Sequence, residues 1–340
     1  MGLWNFISSM LYLDEYTFGS GAFHGGSNNI MKRGVSVDRF VLIITFITLI
    51  TSPFYSQVLS RYPYLSMPNS SEVIIAFKSR GVYPSKVMLI SSIGDTLKFE
   101  SDSPDSVHVF HFRNLLPGVK YQYIVSVGDS MFADSDFCFR VPKETDSSFA
   151  FLVFGDTGTG SEEQLKVRNA MINYINQNGV DFILHTGDVV YPNGEPWLYD
   201  SRYFNVYRDI IKKVFVFLTP GNHDYYYDGR GTGYFSNFYL PSNNWDGTEE
   251  YYSFTWGNAF IISLNITGFV SYTPESKQYK WLIKELSSEE AQRKTWRIVF
   301  FHIPPFSTTR FYDPEVIRFL FPIFNKYRVQ IVFCGTCSWL

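Results

Sequence analysis

The sequence contains few cysteines, little net charge and no long hydrophobic run. Only three cysteines occur in 340 residues. Cys138 stands alone, and Cys334 and Cys337 have no second pair, so no disulfide framework is indicated. The formal net charge is -3 and no lysine or arginine run is present, which argues against nucleic acid as a partner. The apolar stretch 40–50 is too short to span a bilayer comfortably.

This apolar stretch has the flanks of a secretory signal. Basic residues precede it, and Thr51, Ser52 and Pro53 follow it. We therefore predict a signal peptide over 31–56, with an uncleaved membrane anchor or a buried strand as alternatives. Because Met31 gives a signal of ordinary length, we expect residues 1–30 to be an extension of the gene model.

A signal peptide would direct the protein along the secretory route. We expect it to be secreted or held in a lysosome-like compartment, with membrane contact only if the apolar segment is not cleaved. On that route, the sequons at Asn69 and Asn265 predict N-glycosylation.

The segment 58–143 alternates short apolar runs with turn residues such as Pro117-Gly118 and Gly128-Asp129. This spacing predicts a small antiparallel β-sandwich. No catalytic residue set is visible there. His108 and His111 are interpreted as surface strand positions.

The segment 148–340 changes to alternating strands and helices. Phe149–Phe154 predicts a buried strand, and Ser161 and Gly179 predict the two ends of the helix that follows it. Further strands are predicted at 182–185, 214–218, 254–264, 297–301 and 329–333, with helices over 281–293 and 314–327. The pattern indicates an α/β unit with two facing sheets.

Polar residues follow four of these strands. In chain order they are Asp156, then Asp188 with Tyr191, then Asn222 with His223, and then His302. Loops at strand carboxyl ends are where sites collect in α/β folds. Carboxylate, amide and imidazole groups together suit divalent and trivalent metals, and one carboxylate can bridge two ions about 3.5–4 Å apart. Each motif alone has a structural explanation, but together they predict a metal site.

In these motifs the chain resembles the metallophosphoesterase superfamily, and specifically the purple acid phosphatases. The segment 115–123 also resembles the corner of their fibronectin type III-like N-terminal domain. The resemblance implies a fibronectin III-like β-sandwich over 58–143. It also implies a four-layer α/β domain over 148–340, with two facing mixed sheets flanked by helices. We expect this second domain to be truncated at its C-terminal end.

The resemblance also implies a set of residue roles. Asp156 and Tyr191 would bind Fe(III), Asp188 would bridge two ions, and Asn222 and His302 would bind a second metal, Fe, Zn or Mn. A metal-bound hydroxide would attack phosphorus directly. His223 would stabilise charge or protonate the leaving group, with Asp224 orienting its ring. Asn222 and His223 would contact the phosphate of a small ester or a phosphopeptide. Arg310 lies in a loop where plant members of the family carry substrate-contacting histidines, and it is interpreted either as a phosphate contact or as a solvated loop residue.

The end of the sequence departs from this family. The family carries a Gly-His-x-His block after its last metal-site strand, whereas here Thr336 and Ser338 stand at the two histidine positions. A hydroxyl is a poorer ligand than imidazole for these metals. We favour a misread or truncated gene model as the cause.

Several functions stay open at this stage. The first is an acid phosphatase acting on phosphate monoesters, with a phosphodiesterase or nucleotide pyrophosphatase as a close variant. The others are an inactive binding protein and a structural adhesion module.

Overall fold

The computed structural model describes residues 11–13, 58–145, 148–307 and 312–335, with backbone alone for 11–13. The predicted signal segment 31–56, Arg310, Thr336 and Ser338 lie outside the described residues, as does most of the expected extension 1–30. No helix in the described part of the chain is long and apolar enough to cross a membrane.

The described strands and helices alternate in the second half of the chain only. The strands are β1 (Leu11–Leu13), β2 (Leu59–Asn69), β3 (Glu72–Ser91), β4 (Thr96–Phe112), β5 (Lys120–Val127), β6 (Ser130–Phe132), β7 (Cys138–Arg140), β8 (Phe149–Phe154), β9 (Phe182–His185), β10 (Phe215–Leu218), β11 (Tyr252–Trp256), β12 (Ala259–Ser263), β13 (Trp296–Phe301) and β14 (Ile331–Cys334). The helices are α1 (Glu162–Asn178), α2 (Asn205–Ile211), α3 (Thr232–Phe235), α4 (Lys277–Ser287), α5 (Glu289–Arg293), α6 (Glu315–Phe319) and α7 (Phe321–Lys326).

The N-terminal β segment, 58–145, is antiparallel throughout its named pairs. Its long strand β3 pairs with β2, β4 and β5, and β5 pairs with β6 and β7, which completes one six-stranded sheet. Register shifts between Lys78 and Ser85 divide β3 into two halves. The first half pairs with β2 and the end of β4, and the second half pairs with the start of β4 and with β5. The fibronectin type III assignment stays a prediction.

One histidine in this segment is not where the sequence pattern placed it. His108 is buried, and its two ring nitrogens are hydrogen-bonded to Ser79 Oγ at 2.9 Å and Ser85 Oγ at 2.7 Å. The prediction of a surface position is therefore wrong for His108. It holds for His111, which is exposed and contacts Glu72.

The α/β segment, 148–335, contributes seven strands to two four-stranded sheets, and β1 is the eighth strand. The first has the order β1-β8-β9-β10 and the second β11-β12-β13-β14. In each sheet the edge strand named first is antiparallel and the other three are parallel. The carboxyl ends of β8, β9 and β10 therefore meet at one edge, where loops can converge.

Aromatic side chains fill the space between the two sheets. The Phe217 ring of the first sheet stacks on Phe254 of the second with centroids 3.7 Å apart, and Phe182 packs against Trp256 at 4.8 Å. Burying each such ring contributes about 1.5–3 kcal/mol. These contacts confirm the prediction of two facing sheets.

Helices cover the outer faces of the sheets. Helix α1 begins at Ser161, whose Oγ accepts from the Gln164 N–H, and ends at Gly179, which has a φ of 74°. The predicted ends of this helix are confirmed. On the second sheet, Trp281 and Leu282 of α4 pack against Val299 and other buried residues of β13. Both faces of the central strands are thus buried, as expected for parallel sheets.

A buried arginine joins the two segments. Arg61 of β2 is 2% exposed and forms an ion pair with Asp200. Its guanidinium lies 3.5 Å from the Phe204 ring centroid, and its Nη2 donates to Asn237 Oδ1 at 2.7 Å. Tyr64 donates to the Asn237 carbonyl at 2.7 Å. The N-terminal β segment is therefore fixed against the α/β segment by polar as well as apolar contacts.

Candidate metal centre

The loops that follow β8 and β9 run side by side and bring two carboxylates together. The Asp156 N–H donates to the Gly187 carbonyl at 2.9 Å, and the Thr157 N–H donates to the Asp188 carbonyl at 3.0 Å. Asp156 and Asp188 have φ values of 55° and 53°, the left-handed region that non-glycine residues seldom adopt. Each carboxylate is thus held by a tight turn directly after a strand.

Asp188 is the residue on which the site converges. Its Oδ2 accepts from Tyr191 Oη at 2.8 Å and lies 3.3 Å from His302 Nε2, and its Oδ1 accepts from the His223 N–H at 2.9 Å. Tyr191 Oη also donates to Asp156 at 3.2 Å. Ligand atoms of Asp156, Asp188 and His302 all lie within 4.8 Å of one another. Four loops that are distant in sequence therefore meet at one carboxylate.

The buried polar groups at this site affect one another's ionisation. Burial opposes the ionised form of Asp188, but the imidazoles of His302 and His223 and the His223 N–H outweigh it and bring the pKa of Asp188 to about 2. Burial, and then the charges of Asp156 and Asp188, raise the pKa of Tyr191 well above its usual value. Without a cation the Tyr191 phenol stays protonated, and its O–H donates hydrogen bonds to the two carboxylates.

His302 is oriented by backbone contacts from two neighbouring strand ends. Its Nδ1 donates to the Thr186 carbonyl at 2.8 Å, because a carbonyl oxygen can only accept. The protonated ring has a second N–H, at Nε2, on the side of Asp188, and it is this form that favours the carboxylate; the neutral ring has its lone pair there, where a metal can bind. A Cβ at Gly335, directly after β14, would lie 2.7 Å from His302 Nδ1. Glycine is required there for the chain to pass so close to the ring.

Asn222 offers an oxygen of the kind that metals bind. Its Oδ1 is buried and accepts no hydrogen bond from the described residues. Its Nδ2 donates to Tyr226 Oη at 2.7 Å, which fixes the amide orientation. A buried acceptor without a donor is costly, and a cation would satisfy it. The donor set thus fits a cation: carboxylates, phenol, amide oxygen and imidazole.

His223 lies at the rim of the site. Its Nδ1 donates to the Pro192 carbonyl, which turns Nε2 toward Asp188 at 4.0 Å. The ring is partly exposed and packs against Tyr191 with centroids 4.5 Å apart. It is therefore fixed in orientation and open to solvent on one side.

The prediction that Asp224 orients the His223 ring is wrong. Asp224 is fully buried, and its carboxylate accepts from the Val189 N–H at 3.1 Å and the Gly221 N–H at 2.9 Å. Burial, and then the charge of Asp188, raise the pKa of Asp224 to about 7. The side chain instead joins the loop after β9 to the loop after β10. The Pro192 carbonyl orients His223, and sequence reasoning missed it because a backbone acceptor has no side-chain signature.

His185 is a second residue that supports the loops. Its Nδ1 accepts from the Gly187 N–H at 3.2 Å, so its Nε2 donates to Thr157 Oγ1 at 3.0 Å. The ring is buried at the end of β9, and burial lowers its pKa to about 3. The sequence indicated only a structural histidine. The structure shows that it links the two loops that carry Asp156 and Asp188.

The two predicted glycosylation sites differ in exposure. Asn69 is exposed at the end of β2. Asn265 is fully buried, and its Nδ2 donates to Tyr225 Oη at 2.7 Å. A buried amide nitrogen that already donates a hydrogen bond leaves no room for a glycan, so the prediction at Asn265 is wrong.

Comparison with known proteins agrees with this geometry. The family model described as calcineurin-like phosphoesterase matches residues 149–335, more than half of the chain. The chain belongs to the calcineurin-like phosphoesterase family. The matched range includes all the residues that surround Asp188 in the structure.

Within the calcineurin-like phosphoesterase family, the chain is similar to purple acid phosphatases. It is 28% identical over 260 residues to purple acid phosphatase 1 of Ipomoea batatas, covering 71% of this chain and 52% of that protein. Against the purple acid phosphatase of Glycine max it is 27% identical over 71% of this chain and 53% of that protein. It is 25% identical to an Arabidopsis thaliana protein named "Probable inactive purple acid phosphatase 9", over 66% and 41% of the two chains. The chain spans about half the length of the curated relatives it matches.

A solved structure shares the fold. The purple acid phosphatase PPD1 from yellow lupin (Lupinus luteus) seeds aligns with a TM-score of 0.68 at 18% identity, covering 81% of this chain and 57% of that one. This likeness supports the arrangement of sheets and helices described above.

Proposed function

We propose that the protein is a dinuclear metal phosphatase that hydrolyses phosphate monoesters. The proposal depends on one observation: Asp156, Asp188 and His302, from three separate strand ends, place ligand atoms within 4.8 Å of one another. Nothing in the packing of a core requires two carboxylates and an imidazole at such short range. Their mutual repulsion and desolvation are offset best by bound cations.

The donor groups divide between two ions in the way the family resemblance implies. Asp156 and Tyr191 would hold Fe(III), Asn222 and His302 would hold a divalent Fe, Zn or Mn ion, and Asp188 would touch both. The name of one relative supports the pair Fe and Zn, since an Arabidopsis thaliana protein similar to this chain is named "Fe(3+)-Zn(2+) purple acid phosphatase 12". Bound metals would lower the pKa of a water molecule so that hydroxide forms at mild pH.

The side chains of the chain itself supply orientation and a proton. Tyr191 and the His223 N–H hold the two oxygens of Asp188 in fixed directions. With Nδ1 bound to the Pro192 carbonyl, a protonated His223 has its Nε2–H directed toward the site and available to the leaving oxygen of the ester. Arg310, outside the described residues, stays a candidate for phosphate contact. Secretion through a signal segment at 31–56, and a glycan at Asn69, are parts of the same proposal.

A second function has a specific observation in its favour. Thr336 and Ser338 stand where the family carries two histidine ligands, and one relative is named as inactive. Losing an imidazole from each metal weakens both sites. The alternative is a binding protein that holds a phosphorylated ligand without hydrolysing it.

Metal analysis of the purified full chain separates the two functions. The protein is incubated with Fe and Zn salts, freed of unbound metal and analysed by elemental mass spectrometry. We expect about two metal ions per chain and hydrolysis of 4-nitrophenyl phosphate in preference to the bis(4-nitrophenyl) ester. Asp188→Asn should lose metal and activity together. The control Asp181→Asn, at a carboxylate that accepts from the Ala150 N–H away from the site, should keep both.

A folded sample that takes up neither metal would overturn the phosphatase proposal. Binding of metal without turnover of either ester would favour the binding protein. Faster turnover of the bis-ester would instead indicate a phosphodiesterase.

A further inference from the structure

Half-exposed aromatic side chains collect at the rim of the metal centre. Tyr226 is 49% exposed and Phe269 is 44% exposed, although water-exposed aromatic rings forgo the free energy of burial. They lie in different loops, one after β10 and the other after β12. Exposed apolar residues that cluster beside a polar site often mark a ligand surface.

The rings form a continuous path that begins at the metal centre. The Tyr191 and His223 centroids are 4.5 Å apart, His223 and Tyr226 are 4.8 Å apart, and Tyr226 and Phe269 are 6.3 Å apart. We call His223, Tyr226 and Phe269 the aromatic wall. His223, at one end of the wall, faces Asp188, and Phe269, at the other end, is exposed to solvent.

The wall is held in place by contacts behind it. Phe269 stacks on Tyr225, with centroids 4.6 Å apart and ring planes 8° apart. Tyr225 is buried, and its Oη accepts from Asn265 Nδ2 at 2.7 Å. Tyr226 Oη accepts from Asn222 Nδ2 at 2.7 Å. Because both outer rings have fixed supports, a ligand would lose little freedom in the wall when it binds.

The position of the wall assigns it to the leaving side of an ester. His223 is the group that faces the leaving oxygen in the proposed reaction, so the organic part of the substrate lies next to the His223 ring and then over Tyr226. A flat aromatic group gains offset or edge-on ring contacts there, and a short alkyl group covers the rings less well.

We propose that the aromatic wall makes the site selective for phosphate monoesters whose organic group is an aromatic ring close to the ester oxygen. This inference rests on the proposed phosphatase function and adds its substrate class. Phe269 is then a specificity-determining residue, and Tyr226 is both a wall residue and the positioning residue of Asn222.

The test compares two substrates that differ only in aromaticity. Benzyl phosphate and cyclohexylmethyl phosphate release primary alcohols of similar acidity, so intrinsic reactivity does not separate them. We expect the wild type to show a higher kcat/KM for benzyl phosphate, and Phe269→Ala to reduce that preference by about five-fold, as loss of one ring contact implies. Phe269→Tyr should retain the preference. The control Tyr83→Ala removes an exposed ring from β3, in the N-terminal β segment, and should not change the ratio.

A binding measurement separates this inference from the proposed function. Phenylphosphonate and methylphosphonate are not hydrolysed, and their dissociation constants for the metal-loaded protein are measured by calorimetry. We expect phenylphosphonate to bind tighter, and Phe269→Ala to reduce the difference by about five-fold. If neither ester is hydrolysed but this difference in binding is found, the proposed phosphatase function is wrong and the proposed selectivity of the aromatic wall is supported. The proposed role of the aromatic wall would be overturned if the two phosphonates bound equally or if neither bound. It would also be overturned if folded Phe269→Ala kept the wild-type ratio of dissociation constants.

Discussion

Replacing His185 by glutamine should change how the stability of the protein depends on pH. The ring is fully buried and links the loops of the metal centre through Thr157 and Gly187. Its pKa is about 3 in the folded protein, against 6.5 for an unperturbed histidine. Between these values the unfolded chain binds a proton that the folded chain does not, so stability is lost as pH falls below 6.5.

The size of the effect follows from this difference in pKa. One pH unit within the window corresponds to about 1.4 kcal/mol, so lowering the pH from 7 to 5 costs the wild type about 2 kcal/mol through His185. His185→Gln removes that cost, although it leaves the Gly187 N–H without its acceptor, which costs about 1–3 kcal/mol at any pH. We therefore expect the wild type to be more stable than His185→Gln at pH 7. At pH 5 the difference in the free energy of unfolding between the two proteins should be smaller by about 2 kcal/mol.

The assay is thermal unfolding of both proteins at pH 7 and pH 5, with a chelator in every sample. The advantage in Tm of the wild type over His185→Gln should fall by about 3 °C at the lower pH for a chain of 340 residues. Asp224 and Glu249, whose pKa values are raised to about 7, titrate in the same range, but their effects are common to both proteins and cancel. The control His111→Gln removes an exposed histidine and should stay within about 0.5 kcal/mol of the wild type. A His185→Gln difference that is equal at both pH values, or larger at pH 5, would refute the reasoning.

Three further substitutions test other parts of the structure. Arg61→Ala leaves Asp200 without its buried partner and should lower the free energy of unfolding, measured by urea titration, by about 2–4 kcal/mol. A loss below about 0.5 kcal/mol would contradict the role of Arg61 in joining the N-terminal β segment to the α/β segment. Glu249→Gln should raise Tm at pH 8 and change it little at pH 5. Burial raises the pKa of Glu249 from 4.5 to about 7, so the carboxyl costs the folded protein stability increasingly as pH rises from 4.5 to 7, and in full above 7. Gly221→Ala would place a Cβ 2.1 Å from Asp188 Oδ1 and should abolish metal uptake while circular dichroism still shows a folded protein; normal uptake would contradict the close approach.

The elements with strong local signals could be predicted from the sequence. The strand Phe149–Phe154 is a continuous apolar run, and the strand Phe182–His185 is apolar up to its last residue; the observed bounds of both agree with the prediction. The helix predicted over 281–293 is interrupted because Ser288, in extended conformation, ends α4 and caps α5. A serine can serve either role, and its own sequence context does not decide which.

Long-range contacts could not be predicted in the same way. The pairing of Arg61 with Asp200 joins residues 139 positions apart, and nothing local marks it. The same holds for His108, which is buried between two serines of the neighbouring strand β3. The predicted role of Asp224 was wrong because its oxygens accept from the backbone N–H groups of Val189 and Gly221 and not from the adjacent histidine.

The left-handed backbone at Asp156 and Asp188 sets a price in stability for the two carboxylates. A side chain in that conformation costs about 1 kcal/mol, and glycine would relieve the cost at either position. This chain has an acidic residue at both turns, so the free energy that glycine would recover there is exchanged for two negative charges at the ends of neighbouring strands.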